Sequence, residues 1–231
     1  MRLPCMKATL HYLQVPALCA AALALTACGG SGKASSAPAS VSSASRSASG
    51  YRGDQLGTPL VLTAADDAAR FRTAGGGSTT LSALQQGKLM LLYFGYTHCP
   101  DVCPTTMADL GQALRQLPVQ VQLHTQVVFV TSDPARDTPA VMKSWLGNFD
   151  AGLPVPFAGL TAPLSQTDRV ATTLGVPLSP PVTAPDGTVT VQHGAQTMAF
   201  VGGKASLLWL AGTTVADYAH DITALLEHDP T

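Results

Sequence analysis

Two cysteines four residues apart, Cys99 and Cys103, are the residues of this chain best suited to chemistry. Residues at this spacing share a helix face with Cβ atoms about 5–6 Å apart, so the sulfurs can close a disulfide or grip one ion. A helix starting beside them would place its positive end at the sulfurs, which predicts lowered thiol pKa values and more thiolate. The pair could therefore hold a metal, pass electrons, or form the structural disulfide that is usual in secreted proteins.

Two thiolates favour copper over structural zinc. A closed zinc site takes four ligands, whereas Cu(I) is soft and suits thiolates. A third ligand would let the site hold Cu(II) as well. The best candidate is His193, which stands between Gln192 and Gly194 after a proline-rich stretch. Its place in the chain matches the loop that faces the active-site helix in thioredoxin-like domains. The alternative is a surface histidine, since a ligand assignment needs a cluster.

The pattern of elements predicts an α/β, thioredoxin-like domain with a mixed β-sheet flanked by helices. An apolar run over residues 88–94 predicts a buried central strand, and apolar residues at helical spacing from 103 to 117 predict a helix directly after it. Further strands are predicted over residues 59–63 and 126–131, helices over 138–149, 165–174 and 215–226, and a hairpin over 197–201 and 206–210. A β-hairpin around the glycines at 75–77 forms an N-terminal extension, and the four prolines within 175–187 predict a loop.

The N-terminus resembles a bacterial lipoprotein signal. Arg2 and Lys7 precede a short apolar core, and Leu25-Thr26-Ala27-Cys28 ends it like a lipobox. This predicts a signal peptide over residues 1–27, a lipidated Cys28, a flexible Ser/Ala/Gly linker to residue 50 and a folded domain over 51–231. The alternative is an ordinary signal peptide cut near Ala27. The net charge of −1 leaves no basic footprint for nucleic acid.

Two acidic residues are predicted to support the cysteines. Asp101 lies between them and is expected to tune thiol pKa or meet a partner; otherwise it is a solvated turn residue. Asp133 follows the strand next to the cysteine strand. It is expected to contact the residues that surround the site. The segment around it, residues 133–139, reads mainly as a turn and a helix cap.

Three motifs resemble the SCO/SenC family of copper-binding assembly proteins. Residues 93–104 (YFGYTHCPDVCP) are similar to its signature, residues 133–139 (DPARDTP) to a second motif, and His193 with the following hairpin and helix to a third. The resemblance covers roughly residues 51–226. It implies a thioredoxin-like fold and copper binding through Cys99, Cys103 and His193. It also implies a role in building the binuclear copper centre of cytochrome c oxidase.

The first functional hypothesis is therefore a metallochaperone for Cu(I) and Cu(II), not an enzyme. Its expected partners are the copper-receiving subunit of cytochrome c oxidase and an upstream copper donor or thiol reductant. Its expected location is the extracytoplasmic face of the bacterial cell membrane, with the lipid on Cys28 as anchor. The alternative is a thiol–disulfide oxidoreductase in which Cys99 attacks and Cys103 resolves the mixed disulfide, reducing the cysteines of a partner copper site.

Overall fold

The computed structural model describes residues 50–228. The signal peptide predicted over residues 1–27, the linker up to residue 49 and the lipidation site Cys28 lie outside the described residues. Among residues 50–228, no helix is long and apolar enough to cross a bilayer.

The described chain alternates strands with helices. The strands are β1 (Asp54–Val61), β2 (Phe71–Thr73), β3 (Ser78–Thr79), β4 (Leu89–Gly95), β5 (Thr125–Thr131), β6 (Ala158–Thr161), β7 (Val182–Thr183), β8 (Val189–Thr190), β9 (Thr197–Val201) and β10 (Lys204–Trp209). The helices are α1 (Ala64–Asp67), α2 (Leu81–Gln85), α3 (Val102–Gln116), α4 (Val119–Leu123), α5 (Pro139–Leu146), α6 (Leu164–Thr173) and α7 (Val215–His228).

Eight strands form one mixed sheet in the order β1-β10-β9-β4-β5-β6-β2-β3. Strands β4, β5 and β6 run parallel, and β9 lies antiparallel to β4 on its other side. Every residue of β4 and β5 is buried, as expected for central strands written as continuous apolar runs. The turn that carries the cysteines thus leaves the sheet from a fully buried strand.

Two apolar clusters cover the two faces of the sheet. Side chains alternate along a strand, so Leu91 and Tyr93 of β4 join one cluster with residues of α3 and α7, while Leu92 and Phe94 join the other with residues of α6. Cys103 belongs to the first cluster. The candidate site therefore lies at the margin of a packed core.

The predicted architecture is confirmed, with differences at the edges. The β2–β3 hairpin exists and joins the sheet through β6, whereas β1 pairs with β10 at the opposite edge. Strand β1 begins five residues before the predicted 59–63 strand. The stretch predicted as a loop contains β7, which pairs with β8 in a small separate hairpin. The prolines therefore flank a short strand instead of excluding one.

Candidate metal centre

The two cysteines lie at the junction of β4 and α3. The chain turns after Gly95, and the Cys99 amide donates to the Tyr96 carbonyl oxygen at 3.2 Å. Helix α3 begins at Val102, so Cys103 is its second residue. The helix start predicted beside the pair is confirmed, and the turn brings Cys99 back over the first helical turn.

The buried carboxylate of Asp137 holds this turn in place through hydrogen bonds. Asp137 is fully buried and accepts hydrogen bonds from the Thr97 amide at 2.9 Å, the Thr97 hydroxyl at 2.5 Å and the Thr131 hydroxyl at 2.6 Å. His98 Nδ1 lies 3.5 Å from the same carboxylate, so this histidine is turned away from the cysteines. The sequence indicated only helix capping at Asp137, because nothing local shows which distant loop a buried carboxylate will hold.

His193 reaches the cysteines from a β-arm formed by residues 177–194. Leu178 and His193 form an antiparallel bridge at its base. The amide of Ser179 donates to the Gln192 carbonyl at 3.0 Å, and the Gly194 amide donates to the Pro177 carbonyl at 2.8 Å. Backbone pairing therefore holds His193 on the side of the arm that meets α3.

The structure brings Cys99, Cys103 and His193 together. One sulfur or nitrogen atom from each lies within 4.8 Å of the other two, and Cys103 Sγ is 3.3 Å from His193 Nε2. Among the cysteine, histidine and acidic side chains of residues 50–228, these three lie close enough together to hold one metal ion. Two cysteines predicted from spacing and a histidine 90 residues away in sequence converge on one point.

The hydrogen bonds of His193 leave Nε2 without a hydrogen, so that its lone pair is available. Its Nδ1 lies 3.1 Å from the Gly194 carbonyl oxygen, which can only accept, so Nδ1 carries the hydrogen. Burial lowers the pKa of His193, which keeps the ring neutral. A neutral ring protonated on Nδ1 leaves Nε2 free to accept from the Cys103 thiol or to bind a metal.

The predicted lowering of thiol pKa is wrong for Cys103. Burial raises the pKa of this thiol to about 12, although the Tyr96 amide and the Tyr93 hydroxyl act in the opposite direction. The sulfur is fully buried, and loss of hydration outweighs the positive end of α3. At neutral pH, Cys103 is therefore a thiol that donates to His193, and ionisation requires a positive partner such as a metal ion.

Cys99 is the sulfur that faces the solvent. It is 9% exposed, whereas Cys103 is fully buried. Cys99 and His193 line an open cavity of about 500 Å³ together with Tyr96, Val102, Pro177, Ser179, Val191 and Gln192. An incoming group therefore meets Cys99 before Cys103.

Aromatic residues that the sequence did not single out frame the histidine. The rings of Tyr93 and Tyr96 meet the His193 ring edge-on, with centroids 6.0 Å and 5.6 Å away. The Val191 backbone hydrogen-bonds the Tyr96 hydroxyl, which ties the arm to the cysteine turn. Tyr93 lies in β4 and Tyr96 directly follows that strand, and the nearness of both to His193 depends on the fold of the arm.

The two predicted acidic residues take different positions. Asp133 is buried and pairs with Arg136, whose guanidinium lies 5.9 Å from the centre of the Tyr96 ring. Asp133 thus reaches His193 through two intervening side chains. Asp101 is exposed, and its backbone carbonyl accepts from the Thr105 hydroxyl at 2.9 Å. Among residues 50–228, no side-chain hydrogen bond joins Asp101 to a cysteine, so its functional role stays a prediction.

The donor set fits a soft ion. Two sulfurs and one neutral imidazole nitrogen suit copper, because thiolates select Cu(I) and imidazole also suits Cu(II). Three protein ligands leave a fourth position, which a closed structural zinc site would fill. The open side next to Cys99 is consistent with a site that exchanges its ion.

Comparisons with known proteins agree with the geometry. A family model described as SCO1/SenC matches residues 68–227. A relative in Stutzerimonas stutzeri is 39% identical over 122 residues, which cover 53% of this chain and 57% of that protein. The match therefore spans little more than half of that relative's length.

Two solved structures share the fold over most of the chain. Apo Sco1 from Thermus thermophilus is 31% identical with a TM-score of 0.63, and the match covers 76% of this chain and 97% of that one. ScoI from Bradyrhizobium japonicum, with copper bound, is 29% identical with a TM-score of 0.57 and coverages of 73% and 98%.

Proposed function

We propose that this chain, which belongs to the SCO1/SenC family, carries one copper ion between Cys99, Cys103 and His193. The observation that carries the proposal is the meeting of these three ligating atoms within 4.8 Å at the wall of an open cavity. A similar ScoI structure holds copper. Both thiolates would hold Cu(I), and Nε2 of His193 would complete the site for Cu(II).

The proposed cargo enters and leaves on the Cys99 side. Cys103 is buried behind Cys99, and the wall opposite is closed by the β-arm. A cysteine of a partner protein can therefore approach the ion next to Cys99 and replace that sulfur first. Ligand exchange of this kind transfers the ion without releasing it to solvent.

The proposed recipient is the copper-receiving subunit of cytochrome c oxidase, where the ion would enter the binuclear copper centre. The support is family membership and the motifs over residues 93–104 and 133–139. The proposed location is the extracytoplasmic face of the bacterial cell membrane, with a lipid on Cys28. The lipobox pattern before Cys28 supports this anchor.

Anaerobic titration of the reduced protein with Cu(I) and with Cu(II) tests the site. We expect one copper per chain in both states for the wild type. His193→Ala should lose tight Cu(II) binding and keep Cu(I) binding, while Cys103→Ala should lose both. His124→Ala is the matched control, because His124 bonds Gln120 on the exposed side of α4. Wild-type affinity in the Cys103→Ala variant would exclude the proposed site.

A second candidate function is reduction of the disulfide in a partner's copper site. It is favoured by the pairing of a solvent-facing Cys99 with a second free sulfur within 4.8 Å. Cys99 would attack the partner disulfide and Cys103 would release the product by forming the intramolecular disulfide. The raised pKa of Cys103 disfavours a rapid second step. Reduction of a mixed disulfide by the metal-free protein, abolished in Cys99→Ser, would support this function.

A further inference from the structure

A buried phenol lies directly against the sulfur of Cys103. The Tyr93 hydroxyl donates a hydrogen bond to Cys103 Sγ at 3.6 Å, within the longer range of sulfur hydrogen bonds. Both side chains are fully buried. Cys99 lies on the open side of the pair, where it lines the cavity.

The surroundings of Tyr93 orient this hydroxyl. The Thr106 side chain hydrogen-bonds the phenol oxygen from the next turn of α3. The Tyr93 ring stacks on Phe129 with centroids 6.1 Å apart, and it also meets the His193 ring edge-on.

The absence of a side chain at Gly95 leaves room for the contact between Tyr93 and Cys103. A Cβ atom added to Gly95 would lie 2.7 Å from Tyr93 Cε1 and 2.8 Å from Cys103 Sγ. The backbone of β4 thus lies close to both the phenol ring and the sulfur, and leaves no room for a side chain at Gly95.

A hydrogen bond to a thiolate draws electron density away from the sulfur. The bond weakens sulfur donation to Cu(II) more than to Cu(I), which is why hydrogen bonding around the cysteine sulfur tunes the reduction potential of copper–thiolate sites. We propose that Tyr93 is a positioning residue that tunes the Cys103 sulfur toward Cu(I). This inference rests on the proposed copper function and adds a residue that touches the sulfur and not the ion.

Tyr93→Phe removes the hydroxyl and keeps the ring. We expect the sulfur-to-Cu(II) charge-transfer band to move to longer wavelength. We also expect Cu(II) affinity to rise relative to Cu(I) affinity by about three- to tenfold, the worth of one hydrogen bond. A tenfold change in the ratio of Cu(II) to Cu(I) affinity corresponds to a fall of about 59 mV in the reduction potential of the one-electron Cu(II)/Cu(I) couple.

The matched control is Tyr218→Phe. Tyr218 is also a buried phenol, but its hydroxyl lies 3.5 Å from Thr197 Oγ1 and its ring packs on Trp209. This variant should leave the band and the affinity ratio unchanged. An equal shift in both variants would overturn the inference, because it would reflect general loosening of the core.

A second substitution tests the opposite sign. Site-specific replacement of Tyr93 by 3,5-difluorotyrosine makes the phenol a stronger donor, so the band should move to shorter wavelength. An unchanged band in both Tyr93 variants, with one copper still bound, would overturn the inference and leave the copper function intact. Failure of the wild type to bind copper would instead overturn the proposed function and the inference together.

Discussion

The thiol of Cys103 donates to Nε2 of His193 across 3.3 Å, so one hydrogen bond joins two predicted metal ligands. Burial raises the pKa of the thiol and lowers that of the imidazole, and both groups are therefore neutral at pH 7. Copper binding must expel the Cys103 proton, whereas His193 already presents a lone pair. The protonation of this pair follows from the depth of the site and could not be predicted from the spacing of the cysteines.

Copper affinity should consequently depend on pH. Because the pKa of Cys103 is raised to about 12, each copper bound below that pH displaces its proton. Cu(I) affinity should rise at least tenfold per pH unit between about pH 6.5 and 8.5. Competition titrations with a Cu(I) chelator at three pH values measure this slope. The slope should persist in His193→Ala, since it arises from the Cys103 proton, and an affinity independent of pH would contradict the assignment.

Gly95 offers a second test at the scale of single residues. Gly95→Ala forces a methyl group against the Tyr93 ring and Cys103 Sγ, so the free energy of unfolding should fall by about 1–3 kcal/mol. Copper affinity should fall as well. Gly57→Ala is the control, because a Cβ atom there meets nothing within 4 Å. Chemical denaturation should separate the two variants, and equal stability would contradict the packing described around Cys103.

At the scale of elements, the site depends on three segments that meet: the β4–α3 turn, the segment between β5 and α5 that carries Asp137, and the β-arm. Strand β4 and helix α3 could be predicted, because a continuous apolar run and helical spacing follow each other directly. The role of Asp137 could not, since its hydrogen bond to Thr97 spans 40 residues. The arm was predicted only as a loop leading to His193, because strands of two residues are too short to show a periodic pattern.

Removing the charge of Asp137 should loosen the cysteine turn. In Asp137→Asn, the amide group cannot accept all three hydrogen bonds from Thr97 and Thr131. We expect a loss of about 2–4 kcal/mol in the free energy of unfolding and weaker copper binding. Asp168→Asn removes the same charge from the exposed side of α6 and should change neither quantity. Wild-type copper affinity in Asp137→Asn would show that the turn holds its shape without the carboxylate.

At the scale of the described domain, a second buried carboxylate secures the chain where it enters the fold. Asp221 of α7 is fully buried and accepts from the amides of Arg52 and Gly53 and from Trp209 Nε1, at 2.8–3.1 Å. These contacts fasten the start of the domain to its last helix. They share no partner with Cys99, Cys103 or His193, so stability and copper binding should be separable.

Asp221→Asn tests that separation. We expect the free energy of unfolding to fall by about 2–4 kcal/mol, because buried donors lose their charged acceptor. Copper affinity should stay at the wild-type value. Asp217→Asn on the same helix is the control, since its ion pair with Arg52 is partly exposed and should contribute less than about 1 kcal/mol. A parallel loss of copper affinity in Asp221→Asn would show that the metal site depends on the hydrogen bonds of Asp221.

The central claim is that one copper ion is held by two sulfurs and one imidazole nitrogen. X-ray absorption spectroscopy of the protein loaded with one equivalent of Cu(II) tests it most directly. We expect two sulfur scatterers and one nitrogen scatterer with the outer-shell signal of an imidazole ring, and loss of that ring signal in His193→Ala. A first shell of oxygen and nitrogen alone, or an imidazole signal unchanged in His193→Ala, would contradict the account.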